Sequence, residues 1–214
     1  MSRIVKITLA RLLLAGSLLS LVLGCAPKYD AIDQTVDQAS QGTTPSQTVA
    51  VNANPAPRWV QLLEAAGFSV FNPPRPLPAF SVTNLDGIPT TIDSVAGKLV
   101  LLNFWATWCP PCRAEMPSIQ NLQDELSAEP FTVFAISVGE SATTVHQFLA
   151  EFPYTFPMYL DTPNDVGSVF ASRGIPTTYI LDKQGRALGG FIGSQMYDTP
   201  AFLQMMRELI DILP

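Results

Sequence analysis

The sequence predicts an α/β domain built on a mixed β-sheet that is flanked by helices. Two near-continuous apolar runs, "KLVLLNFWA" (98–106) and "FTVFAISV" (131–138), are typical of strands that are buried on both faces. Segments with helical spacing of apolar residues alternate with the strands, which favours an α/β arrangement. The 214-residue chain is 47% apolar, enough to fill the core of one such domain.

The N-terminal residues have the order of an export signal. Three basic residues within the first eleven precede the apolar run "LLLAGSLLSLVL" (12–23), which ends shortly before Cys25. That run is shorter than the ~20 apolar residues of a membrane span. "LVLGC" resembles the lipobox of bacterial lipoproteins, which implies a signal peptide over 1–24 and acylation of Cys25. An uncleaved signal anchor with a spare thiol is the alternative, and both place the rest of the chain outside the cytoplasm.

Residues 25–57 are expected to form a flexible tether that begins at the lipidated Cys25. The stretch is rich in Gln, Thr, Ser, Ala, Asn and Pro, and such a composition buries too little apolar surface to offset the entropy of ordering. Residues 58–79 follow as a short helix, "RWVQLLEAAGF", and an extended proline-rich connector, "NPPRPLPAF". The α/β domain itself is expected over 80–214.

Within that domain the predicted elements alternate in a regular order. "FSVTNLDGIPTTI" (80–92) predicts a β-hairpin whose turn lies at Asp86 and Gly87. The strand at 98–106 leads into a helix from 110 to about 128, in which Pro117 is expected to cause a kink. After the strand at 131–138 we expect, in order, a helix near 141–152, a strand around 156–160, a helix near 163–172, strands at 177–182 and 187–192, and a helix over 198–213.

Composition excludes several classes of function. The chain carries 12 basic and 18 acidic side chains and has a pI near 4.6, whereas nucleic-acid binding draws on clustered Lys and Arg. We therefore expect no nucleic-acid partner. Its single histidine, His146, and three cysteines are a poor set of metal ligands, so no metal site is expected. His146 is most simply a residue of a helix surface.

The stretch "WCPPC" (108–112) contains the pair that remains once Cys25 is assigned to the lipobox. Cys109 lies where a buried strand gives way to a helix, and Pro110 and Pro111 suit the first helical turn because their amides would be unpaired there. A helix N-terminus favours a thiolate, which makes Cys109 the expected nucleophile. Cys112 lies one turn later on the same face and is the expected resolving thiol.

Other interpretations of the pair are weaker. A structural zinc site needs two further ligands, and the chain offers only His146 as a nitrogen ligand. Attachment of a c-type haem needs a histidine after the second cysteine, and Arg113 stands there. A permanent disulfide staple closing so short a loop would add little stability. A redox-active couple that needs no other cofactor is therefore favoured.

Several motifs together resemble one family. "LVLLNFWATWCPPC" and "GIPTTYILDKQGR", with "CRAEMP", "SVGES" and "FPMYLDT", are similar to the membrane-anchored TlpA/ResA-like thiol-disulfide oxidoreductases. The resemblance covers about 80–213. It implies a thioredoxin-like fold with an N-terminal β-hairpin and a central helix-strand insertion.

The resemblance also implies roles for individual residues. Pro176 corresponds to a cis-proline that faces the active cysteines, where the backbone of Ile175 can pair with an extended substrate segment. Glu115 matches an acidic residue that raises the pKa of Cys112 and relays its proton. The alternative for Glu115 is an ordinary exposed helix residue. Trp108 is expected to form part of the partner-binding rim, and Trp105 to lie in the core.

The resemblance implies reduction of disulfides in exported proteins, with apocytochrome c during cytochrome c maturation as a substrate, by a monomer recharged by a transmembrane donor of the DsbD/CcdA type. The two prolines agree with that direction, because they withhold two N–H donors from the Cys109 thiolate and so favour a reducing couple. Alternatives are a disulfide oxidase or isomerase, a peroxidase, and a non-catalytic binding domain. Peroxiredoxin-type sites place Thr or Ser and Pro where this chain has Ala106 and Leu102.

Overall fold

The computed structural model describes residues 55–214, so the predicted signal peptide, Cys25 and nearly all of the tether lie outside the described residues. One eight-stranded mixed sheet forms the centre of this part of the chain, in the strand order β1-β8-β7-β4-β5-β6-β2-β3. The strands are β1 (Ser69–Pro76), β2 (Val82–Asn84), β3 (Pro89–Thr90), β4 (Leu99–Trp105), β5 (Phe131–Val138), β6 (Met158–Asp161), β7 (Thr177–Leu181) and β8 (Arg186–Ile192). The helices are α1 (Arg58–Ala65), α2 (Pro110–Glu125), α3 (Ala142–Glu151), α4 (Asp165–Phe170) and α5 (Pro200–Ile212), and a 3-10 turn covers Ile92–Val95.

The two apolar runs form the central strands, as predicted. Every residue of β4 and β5 is buried. β4 pairs parallel with β5 and antiparallel with β7, which makes the sheet mixed. Strands covered on both faces are apolar at most positions, and the sequence supplies such runs, with Asn103 in β4 and Thr132 and Ser137 in β5 as the buried polar exceptions. Trp105, at the end of β4, is 1% exposed and belongs to the core, as expected.

The predicted hairpin is present and extends the sheet at one edge. β2 and β3 pair antiparallel, and β2 also pairs with β6, the strand of the central insertion. The turn is built by Asn84, whose side-chain oxygen accepts hydrogen bonds from the backbone N–H groups of Asp86 and Ile88. Gly87 has a φ of +81°, a conformation that glycine adopts without a steric penalty.

The proline-rich stretch, predicted as an extended connector, is extended and also pairs with the sheet. Residues 69–76 form β1, an edge strand that pairs antiparallel with β8. The prolines are tolerated because an edge strand leaves one side of its backbone free of sheet hydrogen bonds, and because the register shifts between Val70 and Arg75. The sheet therefore begins before residue 80.

The helices agree with the prediction in position and differ at their ends. α2 ends at Glu125 rather than near 128, and α4 is shorter than the segment predicted near 163–172. Pro117 lies inside α2, and His146 is exposed on α3, as predicted. Among residues 55–214, none of the helices combines the length and the apolar character that crossing a bilayer requires.

Candidate active site

The cysteine pair lies where β4 gives way to α2. Cys109 is the N-cap residue of α2, and Pro110 and Pro111 occupy the first two helical positions. Cys109 and Cys112 form a disulfide and are 3% and 0% exposed. The backbone N–H of Cys112 donates to Cys109 Sγ over 3.3 Å, so one amide does reach the sulfur that the two prolines cannot serve.

The turn before Cys109 is fastened by Glu140, which follows β5. The Glu140 carboxylate accepts hydrogen bonds from the backbone N–H and the hydroxyl of Thr107 and from the hydroxyl of Ser137. Glu140 is 6% exposed, and its donors are neutral. The carboxylate thus fixes the segment that carries Trp108 and Cys109. The sequence showed "SVGES" only as a motif and gave no role to this residue.

The loop before β7 faces the cysteine pair. The peptide bond between Ile175 and Pro176 is cis, as the resemblance implied. The carbonyl oxygen of Ile175 lies 3.8 Å from Cys109 Sγ. The Pro176 carbonyl accepts a hydrogen bond from the N–H of Gly193, which ties the loop to the segment after β8. Ile175 and Pro176 therefore lie beside Cys109, as the resemblance implied.

A surface groove of about 470 Å³ lies next to Cys109, and Trp108 and Ile175 are among the residues that line it. Trp108 is 67% exposed, among the most exposed large apolar side chains in the described part of the chain. None of the residues that line the groove is charged. The lining residues are Trp108, Val138, Gly139, Asn164, Gly167, Ser168, Ala171, Ser172, Gly174 and Ile175.

Glu115 is buried rather than exposed. It lies on α2 one turn after Cys112 and is 1% exposed, which rules out the alternative of an ordinary surface residue. Asn103 Nδ2 donates to Glu115 Oε1 over 2.8 Å, and the N–H of Gln195 approaches Oε2 at 3.4 Å. Burial raises the pKa of Glu115 to about 7, against the hydrogen bonds from Asn103, Gln195 and Ser194, which lower it. The carboxyl group can therefore take up and release a proton near neutral pH.

Three residues behind Glu115 were not found by sequence reasoning. Asn103 on β4 and Thr178 on β7 are paired across the two strands, and Tyr197 precedes α5. Their hydrogen bonds join them to Glu115. No group of three or more His, Cys, Asp or Glu side chains in the range 55–214 is arranged to hold a metal ion.

Comparison with known proteins finds relatives that are named thiol-disulfide oxidoreductases. A model of the AhpC/TSA family matches residues 73–187. The chain is 35% identical over 109 residues to the thiol-disulfide oxidoreductase ResA of Geobacillus thermodenitrificans, which covers 51% of this chain and 63% of the relative. It is 31% identical over 118 residues to ResA of Bacillus cereus, which covers 55% of this chain and 68% of that relative.

Among solved structures, a thiol:disulfide interchange protein of the thioredoxin family from Chlorobium tepidum is similar with a TM-score of 0.55 and 30% identity. The likeness covers 64% of this chain and 97% of that one. The predicted thioredoxin-like fold and the resemblance to ResA-like oxidoreductases are thereby confirmed. The chain spans less than two thirds of the length of the ResA proteins of Geobacillus thermodenitrificans and Bacillus subtilis, at 63% and 62%.

Proposed function

The chain belongs to the AhpC/TSA family, and from this premise we propose that it is an extracytoplasmic thiol-disulfide oxidoreductase that reduces disulfides in exported proteins. One observation carries the proposal. The Cys109–Cys112 disulfide lies at the start of α2, with Cys109 Sγ beside the Ile175 carbonyl and the cis bond to Pro176. A nucleophilic sulfur next to a backbone segment that an extended peptide can pair with is the arrangement that disulfide exchange requires.

The first step of the reaction forms a mixed disulfide. In the reduced enzyme the Cys109 thiolate attacks one sulfur of the substrate disulfide, whose S–S bond breaks, and the departing thiolate takes a proton from solvent. The N–H of Cys112 stabilises the attacking thiolate. Backbone pairing of the substrate at Ile175 holds its sulfur in line with Cys109.

The second step releases the substrate. Cys112 gives its proton to Glu115 and attacks Cys109 Sγ, so the mixed disulfide breaks and the second substrate sulfur leaves as a thiolate, which takes a proton from solvent. Two electrons thereby pass from the enzyme dithiol to the substrate, and the enzyme is left with the Cys109–Cys112 disulfide. Glu115 suits this step because its pKa of about 7 lets it accept and return a proton near neutral pH.

The groove beside Trp108 favours a substrate segment of a particular character. Its walls are uncharged, and the exposed indole offers a large apolar contact. We expect an extended, uncharged stretch next to the substrate cysteine, as an unfolded apocytochrome c could present. The proposed recharging partner is a transmembrane thiol donor of the DsbD/CcdA type, since an exported compartment would otherwise keep the pair oxidised.

The proposed attachment is a lipid anchor on Cys25, which would hold the domain at a membrane surface as a monomer. Two acyl chains or more would make such attachment stable, because a single chain gives marginal binding. Metabolic labelling with a fatty acid, compared between the wild type and Cys25→Ala, tests this part of the proposal. Incorporation of the label into the Cys25→Ala variant would contradict it.

Trapping tests the proposed reaction. Cys112→Ser should hold substrates as mixed disulfides on Cys109, which non-reducing gels would show as higher bands that disappear on adding a thiol. Cys109→Ser is the matched control and should trap nothing. Equilibration with glutathione tests the direction, and we expect a potential nearer thioredoxin's about −270 mV than the about −120 mV of a strong oxidant. The latter value, or bands of equal intensity with both variants, would contradict the proposal.

A further inference from the structure

Glu115 is joined to a closed ring of hydrogen bonds that reaches across the sheet. Asn103 Nδ2 donates to Glu115 Oε1 over 2.8 Å and to Thr178 Oγ1 over 2.9 Å. Tyr197 Oη donates to Thr178 Oγ1 over 2.8 Å. The N–H of Tyr197 donates to Ser118 Oγ over 3.1 Å, and the Ser118 hydroxyl donates to the Glu115 carbonyl over 2.7 Å, which closes the ring on α2.

We propose that Asn103, Thr178 and Tyr197 are positioning residues for Glu115, which hold the Asn103 amide with its NH₂ group toward the carboxyl and so favour the carboxylate form. The inference rests on the proposed function, in which Glu115 takes the proton of Cys112. It adds three residues to the site, none of which touches the substrate.

The orientation of the Asn103 amide is linked to the charge of Glu115. An asparagine side chain has two donor hydrogens at one end and an acceptor oxygen at the other. Here the donor end serves two oxygens at once, one from Glu115 and one from Thr178. If the amide were turned over, its oxygen would face the Glu115 carboxylate, and the two acceptors would repel unless the carboxyl group were protonated. The orientation of Asn103 and the charge of Glu115 are therefore coupled.

Thr178 and Tyr197 stabilise the orientation of the Asn103 amide from the side opposite Glu115. Thr178 lies opposite Asn103 in the pairing of β4 with β7 and is 0% exposed. Tyr197 is also fully buried, and burial raises its pKa well above the usual value for tyrosine, so its hydroxyl stays a donor. The Tyr197 hydroxyl and the Asn103 amide both donate to Thr178 Oγ1, so the threonine oxygen acts as the acceptor for Asn103.

No ion pair competes with this control of Glu115. The titratable group that faces it is Tyr197, before α5, and Cys112, three residues earlier on α2, would titrate only in the reduced protein. Arg113, the neighbouring cation on α2, lies instead over the rings of Phe148 and Phe152, at 5.7 and 5.1 Å. Within residues 55–214, Glu115 forms no salt bridge. Neutral donors are thus what offsets the burial of its charge.

The test compares variants that remove one hydrogen-bonding group with variants that keep it. Thr178→Val removes the threonine hydroxyl at nearly constant volume, and Tyr197→Phe removes the hydroxyl that donates to Thr178. Asn103→Ala removes the amide that donates directly to Glu115. Thr178→Ser keeps the hydroxyl. Tyr179→Phe is the matched control, since Tyr179 is the next residue on β7 and donates over 2.6 Å to the Phe170 carbonyl, away from Glu115.

The readout is the titration of the Glu115 carboxyl carbon by NMR in the oxidised full chain, with its signal identified by its loss in Glu115→Gln. Asn103→Ala should raise the titration midpoint by about one pH unit, the size expected for losing a hydrogen bond to a charged group. Thr178→Val and Tyr197→Phe should raise it by less. Thr178→Ser and Tyr179→Phe should leave it unchanged.

Wild-type midpoints in both Thr178→Val and Tyr197→Phe would overturn the inference, as would an equal shift in Tyr179→Phe. Rates of disulfide exchange, measured against pH on the same variants, separate this inference from the proposed function. If the NMR midpoint moves and the rate profile does not follow, the positioning stands and the proposed proton transfer to Glu115 fails.

Discussion

At the scale of single residues, Glu115 shows burial and hydrogen bonding acting against each other on one carboxyl group. Burial opposes the charge, three neutral groups favour it, and the balance leaves the pKa at about 7. Since the folded pKa lies above the unfolded value near 4.5, the native state binds the proton more tightly than the unfolded chain does. The contribution of Glu115 to stability is therefore complete below about pH 4.5 and is lost as the pH rises through about 7.

The raised pKa of Glu115 predicts how the stability of the Glu115→Gln variant changes with pH. The neutral glutamine carries no charge to bury, so the free energy of unfolding of the variant, relative to the wild type, should rise between pH 4 and pH 8. The change should be on the order of 3 kcal/mol, because one pKa unit corresponds to about 1.4 kcal/mol. Denaturant unfolding of both oxidised proteins across this range measures it. A difference that is the same at every pH would contradict the raised pKa.

The residues around Glu115 also show what the sequence could reveal and what it could not. Cys109, Cys112 and Pro176 lie in motifs that are contiguous in the chain, and they were placed correctly. Asn103 had one local signal, a polar residue inside the apolar run "LVLLNFW", where a buried amide needs a partner. Its partner Thr178 is 75 residues away, and only the pairing of β4 with β7 brings the two together.

At the scale of elements, the start of α2 depends on the end of β5. Glu140 receives three hydrogen bonds, two of them from Thr107, and so holds the turn that precedes Cys109. If the carboxylate is removed, donors on Thr107 and Ser137 lose their partner in a largely buried place. A buried donor left unpaired costs about 1–3 kcal/mol.

Glu140→Ala is therefore expected to lower the free energy of unfolding by about 2 kcal/mol or more. Glu140→Gln should lower it by less, because the amide oxygen can still accept from the N–H of Thr107 and the hydroxyls can reorient. Glu151→Ala, at the exposed end of α3, is the control and should change stability by no more than about 0.5 kcal/mol. Chemical denaturation measures all three, and an equal effect of Glu140→Ala and Glu151→Ala would contradict this role.

The strands with a continuous apolar pattern were predicted well. The strand that contains several prolines was not predicted, because prolines are unfavourable in strands and its pairing depends on a distant segment. β4 and β5 are apolar at almost every position, and their predicted bounds match the structure to within one residue. β1 contains Pro73, Pro74 and Pro76, residues that argue against a strand in any sequence pattern. It forms a strand because β8 offers a partner, and that partner lies more than 100 residues later in the chain.

At the scale of the whole molecule, the segment before residue 80 is part of the hydrophobic core. Leu63 on α1 is 0% exposed, and Phe68, just before β1, is 4% exposed. The Phe68 ring lies 5.8 Å from that of Phe191 and 6.4 Å from that of Phe202, which joins the segment to β8 and α5. Removing it would expose these rings and leave the β8 edge unpaired, a state that invites aggregation.

We therefore expect a chain that starts at residue 55 to unfold cooperatively, and one that starts at residue 80 to aggregate or to lose most of its thermal stability. A single substitution tests the same point without truncation. Leu63→Ala should cost about 2–5 kcal/mol, as large-to-small changes in a packed core do. Leu62→Ala, at a half-buried position on the same helix, should cost less. Calorimetry of the four proteins decides the matter, since equal melting temperatures for the two truncated chains would show that α1 and β1 are dispensable to the fold.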